Sequence, residues 1–563
     1  MIEIEPFNLP ISFLENKQEI QQHIINDLEL DNNSEHQSLY NTIFNPTTKF
    51  GTNIIPMWNK YYTTDTKFLK DTQKLISSEL PVITDKYKNI EDIWNNIKTE
   101  TAFIEKYQYI DWNYFKQLND NSSFLQLWSI YNMAAPFLSL VLPILFLIVP
   151  FFILKFQGIN ISVSSYFHIL KQVFSKHQIG LLFSLSSVSF EKCIYIIFSV
   201  FFYILQIYQN IISCIKFVSN MSTYHEQLFS IRTYINETID NMNLFGKSCA
   251  SLDSYTMFID NMNVHKNMLI RFKHELDAIT PYKMSIHKLA QFGHIMKCFY
   301  QLYNNDSYKV SLAYSFGFNG YLDNLQGLNA NIASKSMNIC KYSKKKCSFK
   351  DAFFPIISKP IKNSYNLNKH IIITGPNAAG KTTLLKTTIF NLLISQQIGF
   401  GFYNKAQIHP YDFIHCYINI PDTSGRDSLF QAEARRCVDI LNNIESNQKS
   451  RHFCIFDELY SGTNPYEAIG SAISFLKYLN KYSTVNFMIT THFLEICKRL
   501  KDQEEFYNCH MNILSDSNNK FIYTYKLNSG ISNVKGGINV LKDLDYPEEI
   551  IQSTIEIIDN LNI

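Results

Sequence analysis

Ile371-Ile372-Ile373-Thr374-Gly375-Pro376-Asn377-Ala378-Ala379-Gly380-Lys381-Thr382-Thr383-Leu384-Leu385 passes from a β-branched run, through two glycines separated by four residues, into a leucine-bearing segment. The first part reads as a buried strand and the last as the opening of a helix. Gly375 to Thr382 between them fits the loop pattern in which backbone N–H groups and a helix N-terminus face a phosphate. Small residues at Ala378 and Ala379 let the backbone come close. Lys381 then brings a point charge to the β- and γ-phosphate oxygens, and Thr382 a hydroxyl ligand for Mg²⁺. The expected ATP-binding set is therefore Gly375, Pro376, Asn377, Ala378, Ala379, Gly380, Lys381, Thr382 and Thr383, with ATP and Mg²⁺ as cofactors.

Working outward, His370 marks the point from which short β-branched runs alternate with helical stretches, the pattern of an α/β unit with a parallel sheet. His452-Phe453-Cys454-Ile455-Phe456 is a second apolar strand, ending in Asp457-Glu458. An adjacent acidic pair is commonly just solvated surface, but at the end of such a strand it gains a task. Asp457 is expected to hold Mg²⁺, directly or through water, and Glu458 to polarise the attacking water. A third strand, Val485 to Thr490, leads into Thr491-His492 and so places an imidazole at the same sheet edge, where ligands of open α/β sheets gather. His492 is the expected γ-phosphate sensor. The catalytic set is thus Glu458, His492 and Lys381, with Thr382 and Asp457 on the metal.

At 563 residues the chain exceeds what one core usually organises, so three or four domains are expected. Its 51 Lys+Arg against 49 Asp+Glu leave a net charge of +2, so any nucleic-acid surface has to be local. The 11 Cys include no CxxC pair, which argues against zinc or a disulfide framework and reads as free thiols in a reducing compartment. MIEIEPFNLP is acidic where a secretory signal would be basic and apolar, so a protein that is not secreted is expected.

Ala134 to Leu154 is 21 residues without a charge. As a helix it would be ~32 Å long, enough to span a hydrocarbon core. Cys193 to Ile215 is a second such run of 23 residues, interrupted by Gln206, Gln209 and Asn210. A buried core helix normally keeps a polar face, and the first run has none. The linker between them carries Lys155, Lys171, Lys176 and Lys192 against Glu191, so the positive-inside bias favours a cytoplasmic linker. An ATP site beyond the hairpin instead wants the flanks there, and this requirement outweighs so small a basic excess. From 217 to about 345, positions such as Leu228, Ile231, Ile235 and Ile239 recur at helical spacing, as in a helical connector. Lys344-Lys345-Lys346 within it reads as a solvated loop.

Five blocks, in order, resemble the ATPase domain of the MutS family. Thr374 to Thr383 is similar to its phosphate loop, with the particular Gly-Pro-Asn opening. Gln397-Ile398-Gly399 with Phe402 looks like the segment after the loop helix, and Ser428-Leu429-Phe430-Gln431-Ala432-Glu433 resembles the family's Ser-Thr-Phe-x-x-Glu. Asp457-Glu458 continues into Gly462-Thr463-Asn464, near its Gly-Thr-Ser, and Thr490-Thr491-His492-Phe493 is similar to its Thr-His-Tyr. Tyr525 to Ile531 and the tail Leu541 to Ile551 resemble the end of that domain, where a short helical motif joins subunits. The resemblance covers roughly 350 to 555 and implies a dimer, homodimeric or with a related chain, in which Ser428 reaches the partner's γ-phosphate in trans. Ser428 capping a helix from Leu429 to Leu441, with Glu433 and Arg436 on its surface, is the plainer reading.

Mismatch-reading members carry a Phe-x-Glu triplet in an N-terminal domain. Here the triplets at Phe13, Phe103, Phe456 and Phe493 carry no information in a chain with 44 Phe. A transporter ATPase would need a Leu-Ser-Gly-Gly-Gln signature and more spans, and a structural α/β protein would have no use for so complete a set of reactive residues.

The expected fold is an α/β phosphate-loop ATPase domain of ABC type at the C-terminus, preceded by a mainly α-helical lever and a transmembrane helical hairpin. The expected segments are 1–125, an N-terminal region without assigned role; 126–216, the membrane hairpin; 217–350, the lever or connector; 351–530, the ATPase domain; and 531–563, a dimerisation tail. Two functions follow. One is ATP-gated DNA binding with hydrolysis, in mismatch repair or recombination. The other is a membrane-attached mechanochemical ATPase acting on a protein or the bilayer. The ATPase domain is expected in the cytosol or nucleus.

Overall fold

The computed structural model describes residues 6–30, 38–84, 88–159, 161–176, 190–281, 286–418, 420, 428–515, 521–532, 538, 541–542 and 544–560. It divides into two compact units. The first gathers residues 1–86, 241–264 and 313–563, and the second 87–240 and 265–312.

Among the described residues the first unit holds three sheets. A small antiparallel pair joins β1 (Lys17–Glu19) to β2 (Tyr61–Thr63). The mixed second sheet contains β3 (Asn338–Tyr342), β4 (Ser348–Ala352), β5 (Asn363–Asn366), β7 (Phe400–Gly401) and β8 (Lys405–Ile408), in the order β5-β4-β8-β3-β7. Its strands begin well before His370, inside what the periodicity presents as the end of a helical connector. The third sheet contains β6 (His370–Thr374), β9 (Phe413–Tyr417), β10 (His452–Asp457), β11 (Val485–Thr491), β12 (Phe506–Ser515) and β13 (Phe521–Ser529). Their order is β13-β12-β6-β11-β10-β9, parallel except for β13. All five residues of β6 are buried, as a central strand covered on both faces requires. The register pairs Thr491 with Thr374 and Asp457 with Thr490, so the C-terminal ends of β6, β10 and β11 form one edge.

The N-terminal residues belong to this unit because their polar groups are met by the helix that follows the phosphate loop, Lys381–Ile398. Tyr40 Oη donates to Gln397 Oε1 at 2.6 Å, and Gln397 Nε2 donates to the Trp58 and Tyr61 carbonyls. Gln396 Nε2 donates to the Thr63 carbonyl. The turn-prone Asn45 to Thr48 becomes a left-handed Asn45 cap and a Thr48 cap of the helix Lys49–Trp58. Asp323 accepts hydrogen bonds from the backbone and hydroxyl groups of both Thr47 and Thr48.

The second unit is helical. Leu228, Ile231, Ile235 and Ile239 lie on the 59-residue helix Phe190–Ser248, and all four are buried, as their spacing requires. An aromatic cluster fills the centre, with Phe103 and Tyr303 stacked 4.0 Å apart and Tyr224 against Phe299 at 4.3 Å. The first uncharged run lies on the helix Ser122–Phe156, capped by Asn121, and the second on Phe190–Ser248. Both helices are long and apolar enough to cross a membrane. The described side chains of these runs largely face outward, among them Phe137, Leu145, Phe152, Phe201 and Phe202. Part of the linker, 177–189, lies outside the described residues.

Candidate functional site

The chain reverses direction between β6 and the loop helix with Ala378 and Gly380 at φ of +61° and +90°. At Gly380 a Cβ would also meet the Tyr525 ring at 3.1 Å, so glycine suits both the backbone and the space. Lys381 is buried, and its ammonium folds back to donate to the carbonyls of Gly375 at 3.0 Å and Pro376 at 3.2 Å. It also lies 3.0 Å from His492 Nε2 and 3.6 Å from Glu458 Oε1. Burial pulls the Lys381 ammonium below its ordinary range, with Glu458 and Asp457 opposing.

Glu458 takes φ +53° just beyond β10, where its N–H is held by the Thr490 carbonyl and hydroxyl. Its carboxylate lies 2.8 Å from His492 Nε2. The hydrogen bond from His492, followed by the charges of His492 and Lys381, holds the Glu458 carboxyl below the usual range, against its partial burial. One imidazole nitrogen thus faces both an ammonium and a carboxylate. It can accept from Lys381 as a bare nitrogen or donate to Glu458 as N–H, but not both at once.

Thr382 Oγ1 donates to Asp457 Oδ2 at 2.7 Å, and Thr490 Oγ1 donates to Asp457 Oδ1. A hydroxyl and a carboxylate oxygen side by side at the phosphate-loop helix are the hard donors that Mg²⁺ takes, so this pair fits that ion. The ends of three strands, β6, β10 and β11, thereby bring Lys381, Thr382, Asp457, Glu458 and His492 together.

A cavity of about 530 Å³ opens beside them, lined by Asn377 to Thr383, Thr387 and Glu458. Its other wall comes from Phe354, Ile357, Lys359, Pro360 and Ile361 of the β4–β5 connection, with Met511 and Tyr525. Asn363 ties that connection to β13, donating to the Tyr525 carbonyl at 3.0 Å and accepting from the Leu527 N–H at 2.9 Å. Sequence reasoning did not find this wall. Apart from Lys359 its residues carry no charge, and they come from stretches far apart in the chain.

Ser428 caps the helix Leu429–Ser446 in a reciprocal box with Gln431 and does not line the cavity. Glu433 corrects the plainer reading of this helix. It is buried, not on the surface, and accepts from the Ser461 N–H and hydroxyl and the Gly462 N–H at 2.9–3.1 Å. Residues 421–427 before Ser428 lie outside the described residues, as do 533–537 before the tail. The tail itself contains the helix Glu548–Asn560.

Residues 371–562 match the family model described as MutS domain V. DNA mismatch repair protein MutS of Bacteroides fragilis is 33% identical over 214 residues, 37% of this chain and 24% of that protein. The protein of the same name from Persephonella marina is 29% identical over 218 residues, with 37% and 24% covered. DNA mismatch repair protein spellchecker 1 of Drosophila melanogaster is 28% identical over 203 residues, with 35% and 22% covered. The likeness is to the C-terminal domain of MutS proteins and is confined to about the last third of this chain. It spans about a quarter of the length of the curated relatives it matches.

Proposed function

We propose that this chain binds and hydrolyses ATP with Mg²⁺ and uses the nucleotide cycle to gate binding to DNA, working as a dimer. The observation that carries the reading is the convergence of Lys381, Thr382, Asp457, Glu458 and His492 on one sheet edge beside a cavity large enough for a nucleotide. Lys381 takes the β/γ-phosphate oxygens in place of its present carbonyl partners. Thr382 and Asp457 would hold Mg²⁺, which when bound neutralises charge on the phosphate oxygens. Glu458, kept ionised by its neighbours, orients and polarises the attacking water. His492 answers to the γ-phosphate through the same nitrogen that meets Lys381 and Glu458. Phe354, Ile361 and Tyr525 offer the apolar wall that a flat base needs.

The DNA part rests on the family and on what its named relatives do. It is tested by the ATPase rate with and without linear, mismatched and branched DNA at one fixed salt concentration, since phosphate contacts make binding strongly salt-dependent. A change in rate with any of the three is expected. An Mg²⁺-dependent rate indifferent to all three would leave an ATPase and remove DNA.

A second reading, membrane attachment, is favoured by the outward-facing Phe137, Leu145, Phe152, Phe201 and Phe202 on two helices of spanning length. Such surface is costly in water and at home in lipid. The expressed protein should stay with membranes through high salt and alkaline carbonate and leave with detergent. Recovery as a monodisperse protein without detergent would remove this reading.

A further inference from the structure

The two apolar helices are aligned by specific contacts. Cys214 Sγ lies 3.6 Å from the Met133 carbonyl oxygen, and Tyr203 Oη donates to the Ser139 carbonyl at 2.9 Å. The first pairing joins the lower number on one helix to the higher on the other, so the helices run antiparallel. The uncharged run of one helix begins at Ala134, next to Met133, and that of the other ends at Ile215, next to Cys214. Both runs therefore stop at one level.

Across that level the chemistry changes on both helices together. Lys216 follows on one, and then Phe217 turns into the protein interior. On the other, Asn132 and Ser129 are buried polar residues. Gln108 belongs to the same level, since its side-chain amide donates to Ser213 Oγ at 3.2 Å and its backbone carbonyl accepts from Trp128 Nε1 at 2.9 Å. Four residues further on, the chain exposes Trp112 and Tyr114, which are 73% and 95% accessible, together with Phe115. Tyr131 is exposed as well, its ring 5.8 Å from that of Trp128. Rings with an apolar body and a polar tip are costly in water, poorly placed in hydrocarbon, and favoured between the two.

The opposite end repeats the pattern. Lys155 closes the first run, and the helix Val163–Lys176 then turns back, with Tyr166 4.7 Å from Phe151 and Phe167 exposed. The 21 residues between the two ends span ~32 Å at helical rise, the thickness of a hydrocarbon core.

We propose that the level of Met133 and Cys214 is where this protein enters a lipid bilayer, with the Trp112–Phe115 loop and Tyr131 seated among the headgroups. The residues flanking the hairpin, 88–125 and 217–240, then lie together on the aqueous side of that boundary. This inference rests on the membrane-attachment reading and adds to it a depth and an aromatic anchor.

The test reconstitutes the full chain into phosphatidylcholine vesicles whose acyl chains are brominated near the headgroup or near the chain end. The Trp112 contribution is the difference in emission between the wild type and Trp112→Phe, a change at an exposed ring. A Leu145→Trp variant reports the midplane, eleven residues or ~17 Å beyond Ala134; Leu142→Trp, ~12 Å beyond it at an exposed position, replaces it should Leu145→Trp fail to fold. Shallow bromines should quench Trp112 more than deep ones, and for Leu145→Trp the order should reverse. Deep quenching of Leu145→Trp with no quenching of Trp112 would overturn the boundary and leave the membrane reading standing. Quenching of neither tryptophan, in protein that does not float with vesicles, would remove both.

Discussion

Thr382 Oγ1 donates a 2.7 Å hydrogen bond to Asp457 Oδ2, joining the start of the loop helix to the end of β10. The register of the sheet makes this possible, because β11 lies between β6 and β10 and brings all three C-terminal ends to one edge. Only one strand separates the phosphate loop from the acidic pair. The same edge carries His492 just beyond β11. Chemistry that is spread along the sequence is thereby gathered at a single place, and each member can be tested separately.

Lys381→Ala should abolish nucleotide binding, because no other described cation lines the loop side of the cavity. Glu458→Gln should keep binding and lower turnover about 10²–10⁴-fold, the range for removing a general base. Binding is read with a fluorescent nucleotide and turnover by phosphate release. Wild-type turnover in Glu458→Gln would take the water-polarising role away from Glu458.

Glu433 ties the helix that Ser428 begins to the loop that follows Glu458. Glu433→Ala leaves the Ser461 and Gly462 amides without this partner, and Gly462 sits tightly against Leu429 and Phe430. The expected loss is about 2–3 kcal/mol in urea unfolding, with Glu433→Gln costing less. Equal midpoints for wild type and Glu433→Ala would mean that the tie contributes nothing.

The reactive residues were legible because each sits where a buried strand ends, and an apolar run such as Ile371-Ile372-Ile373 announces its own end. β3, β4 and β5 were not, since NICKY, SFKDA and NSYN contain no β-branched run and their faces are mixed. The cavity wall of Phe354, Ile361 and Tyr525 depends on β4 pairing with β5 and on the hydrogen bonds between Asn363 and β13, and has no local signature. Tyr40 meets Gln397 across 357 positions, a distance no periodicity reports. Glu433 was misread because a charged residue on a helix is usually solvated, and its three donors come from a loop whose position only the fold sets.

Asp27 gives the stability a definite pH dependence. It is buried next to Cys416 and the Ile418 amide, and burial raises its carboxyl from 3.8 to about 6, with Arg436 and Lys386 opposing. Between about pH 4 and 6 the folded state holds a proton that the unfolded state has lost. The contribution of this group is therefore complete below the unfolded value and fades as pH rises through about 6, by on the order of 3 kcal/mol at most. Asp27→Asn, which stays neutral, should raise the melting temperature at pH 7.5 and change it little at pH 4.5. A variant less stable than wild type at both values would show that the carboxylate is favourably held.

The last prediction concerns whether one chain suffices for the site. Ser428 Oγ accepts from the Gln431 N–H, using a lone pair, so its hydroxyl proton stays available to a second partner. The residue is exposed at the N-terminus of an 18-residue helix and does not line its own chain's cavity. A γ-phosphoryl group bound by the loop needs donors on its far side, and a hydroxyl at a helix N-terminus brings both a donor and the favourable end of a dipole. Supply from a second copy of the chain satisfies both facts. Ser428→Ala should then cost about 1 kcal/mol of stability from the lost cap. It should lower turnover while nucleotide affinity stays near wild type. Specific activity should rise with protein concentration, and mixing Lys381→Ala with Ser428→Ala protein should restore part of the hydrolysis, because one mixed site combines an intact loop with an intact serine. Activity independent of concentration, with no restoration in dimers shown to exchange subunits, would mean that each site is complete within one chain.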